Sequence, residues 1–171
     1  MSSSRLRVAC AASALAVGLA CGPQGPLGIL PGGPLAGEVV AEPVDDWSFS
    51  DAHLTVAIET QGAWLDHSVT VLCVAYAGSL YVPSRNPTGK RWVRNVEHQE
   101  RVRIGVEGRI YPARAERVTS LQEAEAASRA LLRKYLGIEA SEVRPLPGAP
   151  EPGDDRAEVL LFRISSVGGA S

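Results

Sequence analysis

The chain has 171 residues, of which 45% are hydrophobic and 21% charged, and it carries a formal net charge of −2 at pH 7. So small a charge excludes the broad positive field with which proteins gather on nucleic acid. The length, once a leader and a linker are set aside, leaves room for one domain.

The first element is MSSSRLRVACAASALAVGLACG, in which Arg5 and Arg7 precede an uncharged, mostly apolar run from Val8 to Ala20. Two cations ahead of a short apolar run are the layout of a secretory signal peptide, expected over residues 1–20. The run falls short of the about 20 residues needed to span a hydrocarbon core. Gly18-Leu19-Ala20-Cys21 resembles the lipobox of bacterial lipoproteins, which implies a diacylated Cys21, a membrane anchor and a place in the cell envelope. The plainer alternative is an ordinary secretory signal that leaves Cys21 free. Of the other cysteines, Cys10 belongs to the leader and Cys73 lies in an apolar strand, so no disulfide is expected and Cys73 reads as a small buried apolar residue.

Residues 21–37 follow as a Pro/Gly-rich tether, with Pro23, Pro26, Pro31 and Pro34 set among glycines. The domain is expected over 38–171. GEVVAEPV reads as a short edge piece, and His53–Thr60 as a half-buried strand in which Leu54, Val56 and Ile58 alternate. SVTVLCVAYAGSLYVPS reads as two strands around an Ala77-Gly78 turn, and the stretch Arg101–Val118 as two more around Glu107-Gly108. In the latter hairpin Val102, Ile104 and Val106 share one face and Arg101, Arg103 and Gly105 the other. Glu158–Ser166 is the last strand, after a proline-rich loop over 142–158.

Two helices interrupt the strands. The shorter is expected to begin near Thr88 and carries Trp92, Val93 and Val96. The longer has Ser120 and Glu123 at capping-box spacing, Gly137 as its stop, and an apolar stripe of Leu121, Ala124, Leu131, Leu132 and Tyr135. Sequential hairpins with two helices predict a mostly β domain, a six-stranded antiparallel barrel.

Charge is sorted along this domain. Between Cys21 and Ser84 there are seven carboxylates and no Lys or Arg, whereas Arg85–Arg117 holds nine basic residues and four acidic ones. Such sorting produces either acidic loops and basic strands that solvate each other or a pocket that draws in an anionic small molecule. His53, His67 and His98 have no metal-ligand spacing, and no glycine-rich phosphate loop or nucleophile elbow is present.

The run from Ser79 to Val118, SLYVPSRNPTGKRWVRNVEHQERVRIGVEGRIYPARAERV, resembles the core of the flavin-binding split-barrel superfamily, which includes pyridoxamine phosphate oxidase-like proteins and deazaflavin-dependent reductases. The resemblance extends from Trp47 to Ser166. It implies a split barrel, usually dimeric, whose cofactor phosphate is held by Ser84, Arg85, Lys90, Arg91 and Arg94. Trp92 stands where the family often has Lys, and Gln99-Glu100 where it often has Asn-Pro. The implied activity is an oxidoreductase using FMN or a deazaflavin on a small molecule. The alternative is a non-catalytic split-barrel binding protein of the envelope with no cofactor.

Overall fold

The computed structural model describes residues 25–26, 30–138 and 159–168. The expected signal peptide, Cys21 and the whole proline-rich loop over 142–158 lie outside the described residues.

The described chain holds eight strands and two helices. The strands are β1 (Glu38–Val39), β2 (Thr55–Thr60), β3 (His67–Leu72), β4 (Val74–Tyr76), β5 (Ser79–Arg85), β6 (Arg101–Val106), β7 (Arg109–Arg117) and β8 (Val159–Ser166). Helix α1 spans Arg91–His98 and α2 spans Leu121–Leu136, and a 3₁₀ turn covers Ser48–Ala52. The antiparallel path β3-β2-β6-β7-β8-β5-β4 curls into a half-barrel, and β1 adds in parallel to β7 beside Arg109 and Ile110. The expectation of six strands is therefore corrected to eight.

The correction has a local cause at Cys73. SVTVLCVAY, read as one strand, is two: β3 pairs with β2 and β4 with β5, at opposite ends of the path, with Cys73 as the residue between them. The chain itself thus bridges the two ends of the sheet. A backbone that leaves its ladder must find other hydrogen-bond partners, and the last turn of α2 supplies them. The Cys73 N–H donates to the Tyr135 hydroxyl at 3.0 Å, and Lys134 Nζ donates to the Cys73 carbonyl at 2.9 Å and to Asp51 at 3.0 Å. The Cys73 thiol is fully buried, and burial pushes its pKa up.

Both expected hairpin turns form. Ala77 and Gly78, and likewise Glu107 and Gly108, all take positive φ, the two-residue geometry whose twist matches that of the strands it joins. Alternation is kept on β6, where Val102, Ile104 and Val106 are buried. The inner cluster gathers Trp47, Ile58, Leu80, Val82, Ile104, Phe162 and Ile164, and α1 plugs it with Trp92, Val93 and Val96. Truncating a fully buried aromatic such as Phe162 to Ala costs about 3–5 kcal/mol.

On α2 the Ser120 hydroxyl caps the Glu123 N–H, and Gly137 ends the helix at φ 65°. Ala127 packs with Val74, Tyr81 and Leu161 outside the sheet, and Ala124 and Leu131 of the expected stripe pack against this cluster, while Leu121 is 74% exposed. Part of the expected tether also lies on the sheet. Gly32 exchanges both backbone hydrogen bonds with Ser68 on the free edge of β3, and the Leu35 N–H donates to the Glu59 carboxylate.

Candidate functional site: a groove with a cationic end

An open groove of about 990 Å³ runs along one face of the described structure. Its walls are the edge of β3, the outer side of β5, the start of α1 and the last turns of α2. Val69, Val71, Leu131, Leu132 and Trp92 make it apolar, and Arg85, Lys90 and Arg91 gather at it.

Each cation arrives by a different local rule. Arg85 ends β5, on the same side of the pleat as Pro83, which also lines the groove. The chain then turns through Asn86 and Gly89, both at positive φ, with the Lys90 N–H donating to the Pro87 carbonyl at 3.0 Å. Gly89, at φ 85°, makes that turn without a Cβ clash. The helix accordingly starts after Lys90 rather than near Thr88, and no side chain caps it. Three cations thus stand beside helix N–H groups that have no side-chain acceptor, an arrangement suited to an anion.

Among the described residues none of Arg85, Lys90, Arg91 and Arg94 forms an ion pair, whereas Arg103, Arg114, Arg129, Lys134 and Arg163 all do. Titration reflects the same imbalance. Burial, then the charge of Arg85, lowers the pKa of Lys90, and burial, then the charge of Arg91, lowers that of His67 on the groove wall.

Of the five residues expected to hold a phosphate, Ser84 and Arg94 do not line the groove. Ser84 lies between Pro83 and Arg85 and so faces the opposite side of the pleat; it is 1% exposed, and its hydroxyl is unpartnered. Arg94 is exposed and does not line the groove. Asn95, its neighbour, serves the fold, because its Nδ2 donates to the Thr60 hydroxyl at 2.9 Å and ties α1 to β2. Trp92 meets Phe162 edge-on with ring centroids 5.3 Å apart, which explains an aromatic residue at the position where the resemblance expects Lys. Sequence reasoning did not single out His67, Leu131, Leu132 or Tyr135 as groove residues. A signal was present, because the adjacent pairs Leu131-Leu132 and Tyr135-Leu136 are too wide for one buried stripe.

No family profile matches the chain, and no curated protein matches it. Solved structures do. They include a protein of Listeria innocua described as a candidate pyridoxamine 5'-phosphate oxidase (11% identity, TM-score 0.47, covering 68% of this chain and 86% of that one). A FAD-binding protein of Mesorhizobium loti matches at 18% identity and TM-score 0.44, over 68% of this chain and 83% of that one. A NimC/NimA family protein of Clostridium acetobutylicum matches at 14% and 0.45, over 68% and 74%. The chain is similar in structure to pyridoxamine 5'-phosphate oxidase-like split barrels. In this chain the sheet is curled and antiparallel, α1 plugs its interior, and α2 covers its outside.

Among the described residues no helix is long and apolar enough to cross a membrane, and no group of His, Cys, Asp and Glu is placed to hold a metal ion.

Proposed function

We propose that the groove binds a phosphate-bearing cofactor of the flavin type, FMN or a deazaflavin, and that the protein is an oxidoreductase acting on a small molecule. The observation that carries this reading is the set of three cations, Arg85, Lys90 and Arg91, that form no ion pair among the described residues and stand at an uncapped helix start beside an apolar wall. The donors fit a phosphate: guanidinium groups bind it in bidentate fashion, and free helix N–H groups add to them. The wall fits an aromatic ring system, and the volume is at the upper end of the roughly 300–1,000 Å³ usual for ligand sites. A flavin supplies hydride chemistry when bound, and the protein supplies binding and orientation. Here Arg85, Lys90 and Arg91 would hold the phosphate, while Val69, Val71, Leu131 and Leu132 would exclude water from the ring.

The reading also includes export, acylation of Cys21, an envelope location and a homodimer. The anchor rests on the resemblance of Gly18–Cys21 to a lipobox, and the dimer on the split-barrel resemblance. Radiolabelled palmitate incorporation that is lost in Cys21→Ser tests the first, and sedimentation equilibrium tests the second.

For the cofactor, the Cys21→Ser chain is titrated with FMN and with a deazaflavin while ligand fluorescence is followed. Saturable binding that is weakened about tenfold in Arg91→Ala and unchanged in Arg94→Ala supports the groove. Indifference to both cofactors overturns the reading and leaves a non-catalytic binding protein.

A further inference from the structure

The loop from Gln61 to Asp66, between β2 and β3, carries the most exposed large apolar side chain among the described residues. Trp64 is 93% exposed and Leu65 beside it 72%. The loop stands at the groove, since an Arg91 guanidinium N–H points at the Leu65 carbonyl at 3.5 Å, and His67, which follows, lines the wall. An exposed indole and leucine therefore adjoin three cations that have no carboxylate partner among the described residues.

We propose that this loop and the cationic end of the groove form a docking surface for an anionic lipid bilayer, with Trp64 and Leu65 inserted at headgroup depth and Arg85, Lys90 and Arg91 over lipid phosphates. The proposal depends on neither the cofactor nor the lipid anchor.

The chemistry favours a bilayer over a protein partner. Indole is apolar with one N–H donor, which suits the boundary between headgroups and acyl chains. Clustered Lys and Arg are drawn to the negative potential of anionic lipids. Two side chains on one loop offer a few hundred Å² at most, well below the about 800 Å² per partner of a standard protein interface. The amino-terminal segment approaches the same rim, where Pro31 lines the groove.

The protein contains its own reporter. Of its three tryptophans, Trp47 is 1% and Trp92 5% exposed, so the water-exposed emission comes from Trp64. The full chain carrying Cys21→Ser is mixed with phosphatidylglycerol vesicles, with phosphatidylcholine vesicles, and with vesicles brominated on the acyl chains. The Trp64→Phe version supplies the background. The expected result is a blue shift and bromine quenching of the Trp64 component on phosphatidylglycerol, with affinity lower by on the order of tenfold or more on phosphatidylcholine. Lys90→Gln with Arg91→Gln should remove most of that preference. FMN binding retained in Trp64→Phe separates this surface from the cofactor reading. A chain that sediments with vesicles while its Trp64 emission stays that of water overturns the proposal, because contact is then made by other residues. So does a Trp64 blue shift that grows with protein concentration in the absence of lipid, which assigns the loop to a second copy of the chain.

Discussion

Two cavities of this half-barrel use the same kinds of side chain to opposite ends. The smaller, of about 340 Å³, is lined by Glu59, Asp66, Arg101 and Arg103 among others, so its acids and bases balance. There Arg103 grips Glu59 through two hydrogen bonds, of 2.7 and 2.6 Å, and the same carboxylate accepts the Leu35 N–H. The larger groove collects Arg85, Lys90 and Arg91 with no carboxylate among its described lining residues to meet them. A cation with a buried partner is fixed and serves the fold. A cation without one keeps its donors for a ligand, and its neighbours register the uncompensated charge. All of these basic residues come from one stretch of sequence, and only the pairing tells them apart.

The contrast can be broken most forcefully at Arg103. Arg103→Ala strips Glu59, whose side chain is only 6% exposed, of its counter-ion. Leaving a buried charge uncompensated costs about 3–5 kcal/mol, and the partial exposure of Arg103 brings the expected loss to about 2–3 kcal/mol. Urea unfolding measures it, and an unchanged midpoint would mean that the pair is ornamental. The groove cations should behave in the reverse way. Arg91→Ala and Lys90→Ala are each expected to weaken FMN binding by about tenfold while shifting stability by no more than about 0.5 kcal/mol, as read by fluorescence titration and urea unfolding.

Ser84 sharpens the comparison from the other side. Its hydroxyl is buried and unpartnered, so Ser84→Ala should leave FMN affinity unchanged and raise stability by up to about 1 kcal/mol. A loss of affinity would show that the hydroxyl reaches the ligand.

The smallest effect belongs to His67. Its folded pKa lies below the usual 6.5, through burial first and Arg91 second. The unfolded chain therefore takes up a proton on acidification before the folded chain does. Stability is full above about pH 6.5 and falls as pH drops through that value toward the folded pKa. In Arg91→Ala the pKa should move part of the way back toward 6.5, because burial persists, and the acid-sensitive window should narrow. Proton NMR of the imidazole follows it directly, and bound phosphate should move it the same way.

Much of the fold was legible because its signals are local. The Ser120 cap, the Gly137 stop, the Ala77-Gly78 and Glu107-Gly108 turns and the alternation of Val102, Ile104 and Val106 each depend on residues a few positions apart. The break at Cys73 was not legible, since TVLCVAY has unbroken strand propensity and only the demands of two different sheet ends divide it. Of the residues singled out in the sequence, Arg85, Lys90 and Arg91 come together at one groove, whereas pleat parity places Ser84 on the other side and Arg94 lies outside the lining, and neither placement follows from local sequence.

The sequence by itself determined the elements, their caps and turns, and a concentration of positive charge in the middle of the chain, because these follow from neighbours along the backbone. Only the tertiary structure decided which cations are neutralised. Glu59 meets Arg103 across 44 positions and Glu123 meets Arg163 across 40, and no local rule brings such residues together or leaves Arg85, Lys90 and Arg91 without a carboxylate among the described residues.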